Sequence, residues 1–244
     1  MSDTAAERIA ALLQAAVARR GLAAMSLTGG DTPDLLYERL ADDTRPWRRR
    51  IDWPRLHLFW GDERQVPPDH PESNYGLAYR LLLEHVHVPA TQIHRMRGEL
   101  PASEAGESYD AVLRERRDRT VGPLFDVMLL GIGSNAHIAS IFPASPLLLS
   151  GADLSGPRGT LATGVAVPEL SQWRITMTPR ALLDSAQIIM IASSASKADA
   201  VQAAVEGPLD VQRYPAQLLR EAGDRVEWII DSAAAGRLRD APRV

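Results

Sequence analysis

Three short, largely apolar runs in this chain each stop at a glycine. Ala23 to Leu27 (AAMSL) leads into Thr28-Gly29-Gly30, Leu56 to Trp60 (LHLFW) into Gly61-Asp62-Glu63-Arg64, and Asp126 to Leu130 into Gly131-Ile132-Gly133. Runs of this length without clean polar alternation read as strands buried on both faces. Between them lie stretches with helical spacing. Ala5 to Val17 carries Ile9, Leu12, Leu13, Ala16 and Val17, with Gly21 placed to stop the helix. Asp34 to Leu40 (with Pro33 in its first turn), Asn74 to about Glu84 and Ser103 to Asp118 follow. Arg174 to Met177, Gln187 to Ile191 and Val226 to Ile230 read as further strands, and Ser194 to Val205 as a helix. Strands separated by helices need crossovers of one hand, and hence a mostly parallel sheet.

The expected fold is therefore α/β: a three-layer α/β/α arrangement around a mostly parallel, Rossmann-like sheet. No repeat, low-complexity block or dividing linker breaks the chain, so residues 1–244 are expected to form one domain. Ala144 to Thr160, rich in Pro, Gly and Ser, is expected to be a rim loop or small lid. Ligands of open α/β sheets bind beyond the carboxyl ends of the strands, where the three glycine turns converge. A net charge of −4 gives no basic field for nucleic acid or an anionic membrane, and zero cysteines remove thiolate chemistry and Cys-ligated zinc. The start of the chain lacks the basic and apolar regions of a signal peptide, and no apolar run reaches the ~18 residues of a membrane span. The expected compartment is the cytoplasm.

Four constellations carry candidate chemistry. Thr28-Gly29-Gly30-Asp31-Thr32 is a strand-to-helix turn whose backbone can approach a phosphate at a helix N-terminus, although a plain tight turn explains it equally well. It lacks a Walker lysine and the spaced glycines of a dinucleotide site. Arg64 can bind an anion or a developing oxyanion through its planar fork, with Asp62 or Glu63 holding that fork; a surface ion-pair cluster is the bland alternative. His137, four residues after Gly133, reads as opening a helix and is the natural general base. Lys197 follows the strand Gln187 to Ile191 and can grip a phosphate, as can Arg174. Of 27 basic side chains only Lys197 is a lysine, which invites a specific reason for it. His85 and His87 have no third ligand nearby, so zinc is not expected.

With these residues in place, the chain resembles the bacterial 6-phosphogluconolactonases, within the wider group that includes glucosamine-6-phosphate deaminases and isomerases. The resemblance is collinear over roughly Ala5 to Ala235. It is carried by LTGGDTP (27–33), LFWGDERQVPPDHPESNYGLA (58–78), LLGIGSNAHIASIFP (129–143), RITMT (174–178), the SKADAV around Lys197, and Tyr214-Pro215-Ala216. It implies a hydrolase without metal or other cofactor that opens 6-phospho-D-glucono-1,5-lactone to 6-phospho-D-gluconate in the oxidative branch of the pentose phosphate pathway. It further implies that Gly29, Gly30, Asp31 and Thr32 form the phosphate turn, that Lys197 and Arg174 bind the phosphate, and that Arg64 contacts the substrate. His137 would be the catalytic base, with Asp62, Glu63 and Asn135 behind the first line of contacts. The expected partner is a small sugar phosphate, and the expected assembly a monomer or weak homodimer.

Two positions beside the histidine depart from that pattern, which usually has Asp-Gly where this chain has Asn135-Ala136. Asn135 accepts a hydrogen bond but brings no charge; in a serine-protease triad the analogous change lowers turnover by ~10⁴. Ala136 costs on the order of 1 kcal/mol if the position needs a positive φ. Ser194 likewise replaces a glycine ahead of the lysine, and Glu169-Leu-Ser-Gln-Trp173 replaces Lys-Pro-Pro ahead of the RIT strand. These departures motivate one alternative, a sugar-phosphate-binding homologue with impaired catalysis; a second, a deaminase- or isomerase-like enzyme, needs a carboxylate near the histidine and is weakened by Asn135.

Overall fold

The computed structural model describes residues 1–148 and 159–239. In chain order the helices are α1 (Ser2–Arg20), α2 (Asp34–Ala41), α3 (Pro46–Arg50), α4 (Asn74–Leu81), α5 (Ala102–Arg119), α6 (Pro179–Leu183) and α7 (Ala198–Val205). The strands are β1 (Ala23–Leu27), β2 (Leu56–Trp60), β3 (Asp62–Arg64), β4 (Phe125–Gly131), β5 (Ala162–Val167), β6 (Gln172–Met177), β7 (Ser185–Ala192) and β8 (Val226–Ile230). Five of them form a wholly parallel sheet in the order β2-β1-β4-β7-β8.

Successive side chains of a strand point to opposite faces, and here both faces are covered. Val127 and Leu129 of β4 pack on one side with Ile9, Leu13, Leu36 and Leu40 of α1 and α2. Met128 and Leu130 pack on the other with Tyr109 and Leu113 of α5, Leu182 of α6 and Val201 of α7. This is the expected three-layer α/β/α arrangement. Gly21 ends α1 in the left-handed region (φ 78), its N–H bonded to Val17 at 2.7 Å. Among the described residues no helix is long and apolar enough to cross a membrane.

Three features depart from the sequence reading. First, β3, β6 and β5 form a separate antiparallel sheet, with Arg64 directly opposite Arg174. The Asp62-Glu63-Arg64 segment is thus a strand rather than a loop. Gly61 couples the sheets: its N–H donates to Leu27 at 3.0 Å and its carbonyl accepts from Met177 at 2.8 Å. Second, His137 does not open a helix. Ala136 and Ala139 both have left-handed backbones (φ 63 and 47), which no right-handed helix contains, so the chain runs through consecutive turns instead. The apolar spacing of Ile138, Ile141 and Phe142 reflects turns packed into the core. Third, helix 194–205 begins as a 3-10 turn, Ala195–Lys197, before α7. Most of the expected lid, 149–158, lies outside the described residues.

Candidate active site

A cleft of ≈ 750 Å³ opens at the carboxyl ends of the parallel strands. The expected phosphate turn (Gly29, Gly30, Asp31, Thr32), Asp62, Arg64, Asn135, His137, Arg174 and Lys197 all line it. Glu63 does not; it lies behind the wall.

His137 is half-buried, its ring stacked on Phe142 with centroids 4.0 Å apart and planes 16° from parallel. Gly133 makes room for it: a Cβ there would lie 2.1 Å from the imidazole, far inside contact distance. Nδ1 sits 2.7 Å from Asn135 Oδ1, and the His137 backbone N–H donates to the same oxygen at 3.3 Å. An amide oxygen only accepts, so Nδ1 carries the proton and Nε2 holds the free lone pair. Burial pushes the imidazole down to about 4; Asp62 opposes this, and Lys197, Arg174 and Arg64 reinforce it. The ring is therefore neutral at physiological pH, as a base must be.

The cations are arranged for an anion. Arg64 and Arg174 face each other across β3 and β6, where like charges repel. Burial, then Arg64, holds the Arg174 guanidinium below its ordinary range. Arg64 donates from Nη1 to the Glu72 carbonyl at 2.6 Å and Arg174 from Nη2 to Gln172 Oε1 at 2.8 Å, while each Nε is buried without a partner among the described residues. Among the described residues, neither these two nor Lys197 joins a salt bridge. Asp62, the nearby buried carboxylate, is occupied otherwise: Ser140 Oγ donates to it at 2.5 Å and Asn74 Nδ2 at 3.2 Å.

The backbone N–H groups of residues 29–32 have no protein acceptor among the described residues. Two side chains that sequence reading did not single out position this turn. Tyr37 Oη accepts from Thr28 N–H at 3.0 Å and donates to the Thr28 carbonyl at 2.6 Å, pinning the turn from inside. Asn74 packs against Gly29, where any Cβ would lie 1.7 Å from its Oδ1. Asp31 is exposed. Glu63 holds α4 rather than the Arg64 fork: it accepts from the backbones of Arg64, Asn74 and Tyr75 at 2.8 Å each, and from Ser73 Oγ at 3.1 Å. The Ser73-Asn74 dipeptide at a helix start was the available signal for this capping.

The protein family described as glucosamine-6-phosphate isomerases/6-phosphogluconolactonase matches residues 1–228. The chain belongs to this family. The 6-phosphogluconolactonase of Haemophilus influenzae is 36% identical over 213 residues, covering 86% of this chain and 85% of that one. The Mycobacterium tuberculosis 6-phosphogluconolactonase is 36% identical over 242 residues, covering 96% and 92%. The crystal structure of 6-phosphogluconolactonase from Thermotoga maritima superposes with a TM-score of 0.75 at 27% identity, covering 94% of each chain.

This member of the family places Lys197 at the end of a strained turn. Ser194 has φ 83 and ψ 145, a region nearly restricted to glycine. Its N–H donates to Asp231 Oδ2 at 3.1 Å, and its Oγ accepts from Ser196 N–H at 3.3 Å. Such strain costs about 1–3 kcal/mol, against about 0.4–1 kcal/mol for the extra unfolded-state freedom of glycine and a few tenths for the lost cap. Ser194→Gly is therefore expected to stabilise the fold by about 1 kcal/mol, measured as a higher urea midpoint at unchanged slope. An unchanged or lower midpoint would mean that the turn is not strained.

Proposed function

We propose that this chain hydrolyses 6-phospho-D-glucono-1,5-lactone to 6-phospho-D-gluconate, the lactone step of the oxidative pentose phosphate pathway. The observation that carries the reading is a neutral imidazole with its lone pair on Nε2, set in one cleft with three cations that join no direct salt bridge among the described residues. The phosphate is bound by the N–H groups of residues 29–32 together with Lys197 and Arg174. His137 Nε2 takes a proton from water as the water oxygen attacks the ester carbonyl. Arg64 stabilises the negative oxygen of the tetrahedral intermediate. As the C1–O5 bond breaks, the imidazolium returns its proton to the leaving ring oxygen, so the base is regenerated in one turnover. Lactonase names among relatives that cover most of the chain support this reading over the deaminase alternative.

The test is acid release from freshly prepared lactone, followed at constant pH. The expected result is hydrolysis well above the spontaneous rate, inhibited competitively by 6-phosphogluconate. Binding of 6-phosphogluconate without acceleration would leave only a binding protein. Ammonia release from glucosamine 6-phosphate would place the chemistry elsewhere in the family.

A further inference from the structure

We infer that Glu169 is a positioning residue for His137, acting through the amide of Asn135. The assignment rests on the hydrolase reading above for its kinetics, but not for its geometry. The His137 backbone N–H can only donate, so the Asn135 atom it faces at 3.3 Å is the oxygen. That fixes the amide: Oδ1 faces the histidine, and Nδ2 points the other way, donating to Glu169 Oε2 at 3.2 Å. The three side chains form a line, carboxylate to amide to imidazole.

The fold delivers Glu169 to this place. It sits in the 3-10 turn Pro168–Leu170 at the tip of the β5–β6 hairpin, closed by Ser171 in the left-handed region (φ 50). The pairs Val167 with Gln172 and Ala166 with Trp173 hold that tip, and Glu169 lines the cleft. Among the described residues it joins no salt bridge, so Asn135 is its one polar partner there.

The chemical need is specific. The charged groups that act directly on His137 are Asp62, Lys197, Arg174 and Arg64, and three of those four disfavour the imidazolium that forms during turnover. Asn135 by itself supplies orientation without charge. Glu169 restores a negative charge one amide away, polarising Asn135 so that Oδ1 is a stronger acceptor as the ring becomes cationic. No proton crosses the amide; the carboxylate acts by field and by fixing the rotamer. Glu169 is exposed, so solvent screens it and the effect is moderate.

Wild type, Glu169→Gln and Glu169→Ala separate these roles, read by ¹⁵N NMR of the imidazole in the free protein and by kcat and KM against pH. Glu169→Ala is expected to raise the Nε2–H tautomer population, shift the His137 titration to lower pH, and lower kcat about 5- to 20-fold with KM within about twofold. Glu169→Gln keeps an acceptor oxygen for Asn135 Nδ2. It is expected to retain the Nδ1–H tautomer while its titration shifts as in the alanine variant. A wild-type tautomer, titration and kcat in Glu169→Ala would overturn the assignment. So would a rise in KM with the tautomer unchanged, which would make Glu169 a substrate contact. If no protein, wild type included, hydrolyses the lactone, the hydrolase reading fails and the tautomer alone decides the role of Glu169.

Discussion

Replacing His137 by alanine is expected to lower kcat/KM for the phosphorylated lactone by about 10²–10⁴-fold, the usual worth of a positioned general base. KM should change little, because the cations and the glycine turn proposed to hold the phosphate are left intact. The ring is half-buried and, among the described residues, leaves the Phe142 stack and one side-chain hydrogen bond behind, so the fold should survive. The pH profile gives an independent check. Protonation removes the Nε2 lone pair, so wild-type kcat/KM should fall on the acid side with a midpoint at about 4 rather than near 6.5. Phosphate in the cleft offsets Lys197 and Arg174, so the midpoint on kcat should lie above that on kcat/KM. The alanine variant should lack this limb. A variant that retains the wild-type rate and limb would remove His137 from the mechanism.

The same depression links folding to pH. An unfolded imidazole takes up its proton near its ordinary 6.5, whereas the folded one does so at about 4. The stability conferred by the neutral ring is thus present above pH 6.5 and is lost as pH falls toward 4. His94, also pushed down to about 4 by burial, then by His57 and Arg116, acts in the same direction.

How much of this was legible in the chain depended on whether a signal was local. The apolar runs AAMSL and LHLFW coincide with β1 and β2 because a buried parallel strand needs little beyond apolar residues of the right length. The antiparallel sheet was not legible. β3 is three charged residues and β5 is ATGVAV, and neither is a strand except by pairing with β6. The segment around His137 misled for a related reason: its apolar spacing suits a helix, while burial and tertiary contacts hold Ala136 and Ala139 in left-handed turns. The site divides along the same line. His137, Arg64 and Lys197 announce themselves through neighbouring motif residues. Arg174 opposite Arg64, Tyr37 behind Thr28, Asn74 on Gly29 and Glu169 on Asn135 depend on contacts between segments 9 to 110 positions apart.

Glu63→Gln is expected to destabilise the fold by about 2–4 kcal/mol, the cost of leaving two of the carboxylate's donors unpaired at a buried site. Measured against a total of about 5–15 kcal/mol, that is a large fraction of the stability of a chain this size. Two opposing effects make the outcome informative. Burial pushes the Glu63 carboxyl above the ordinary carboxylate range, while the N–H groups of Tyr75, Asn74 and Arg64 pull it down. Geometry decides between the protonation states. Backbone N–H groups cannot accept, and both carboxylate oxygens receive at least one of them, so a protonated carboxyl would turn a hydrogen toward a donor. The glutamine NH₂ would do the same. Its cost therefore falls on the start of α4, which places Asn74 against Gly29 and Asp62, and on the backbone that carries Arg64. Urea unfolding should show the lower midpoint, and the surviving folded protein should bind 6-phosphogluconate more weakly as the phosphate turn loosens. A midpoint shift of less than about 0.5 kcal/mol would instead mean that Glu63 is already neutral in the folded chain. In that case Asp62 is the only charge that this acidic pair brings to the cleft.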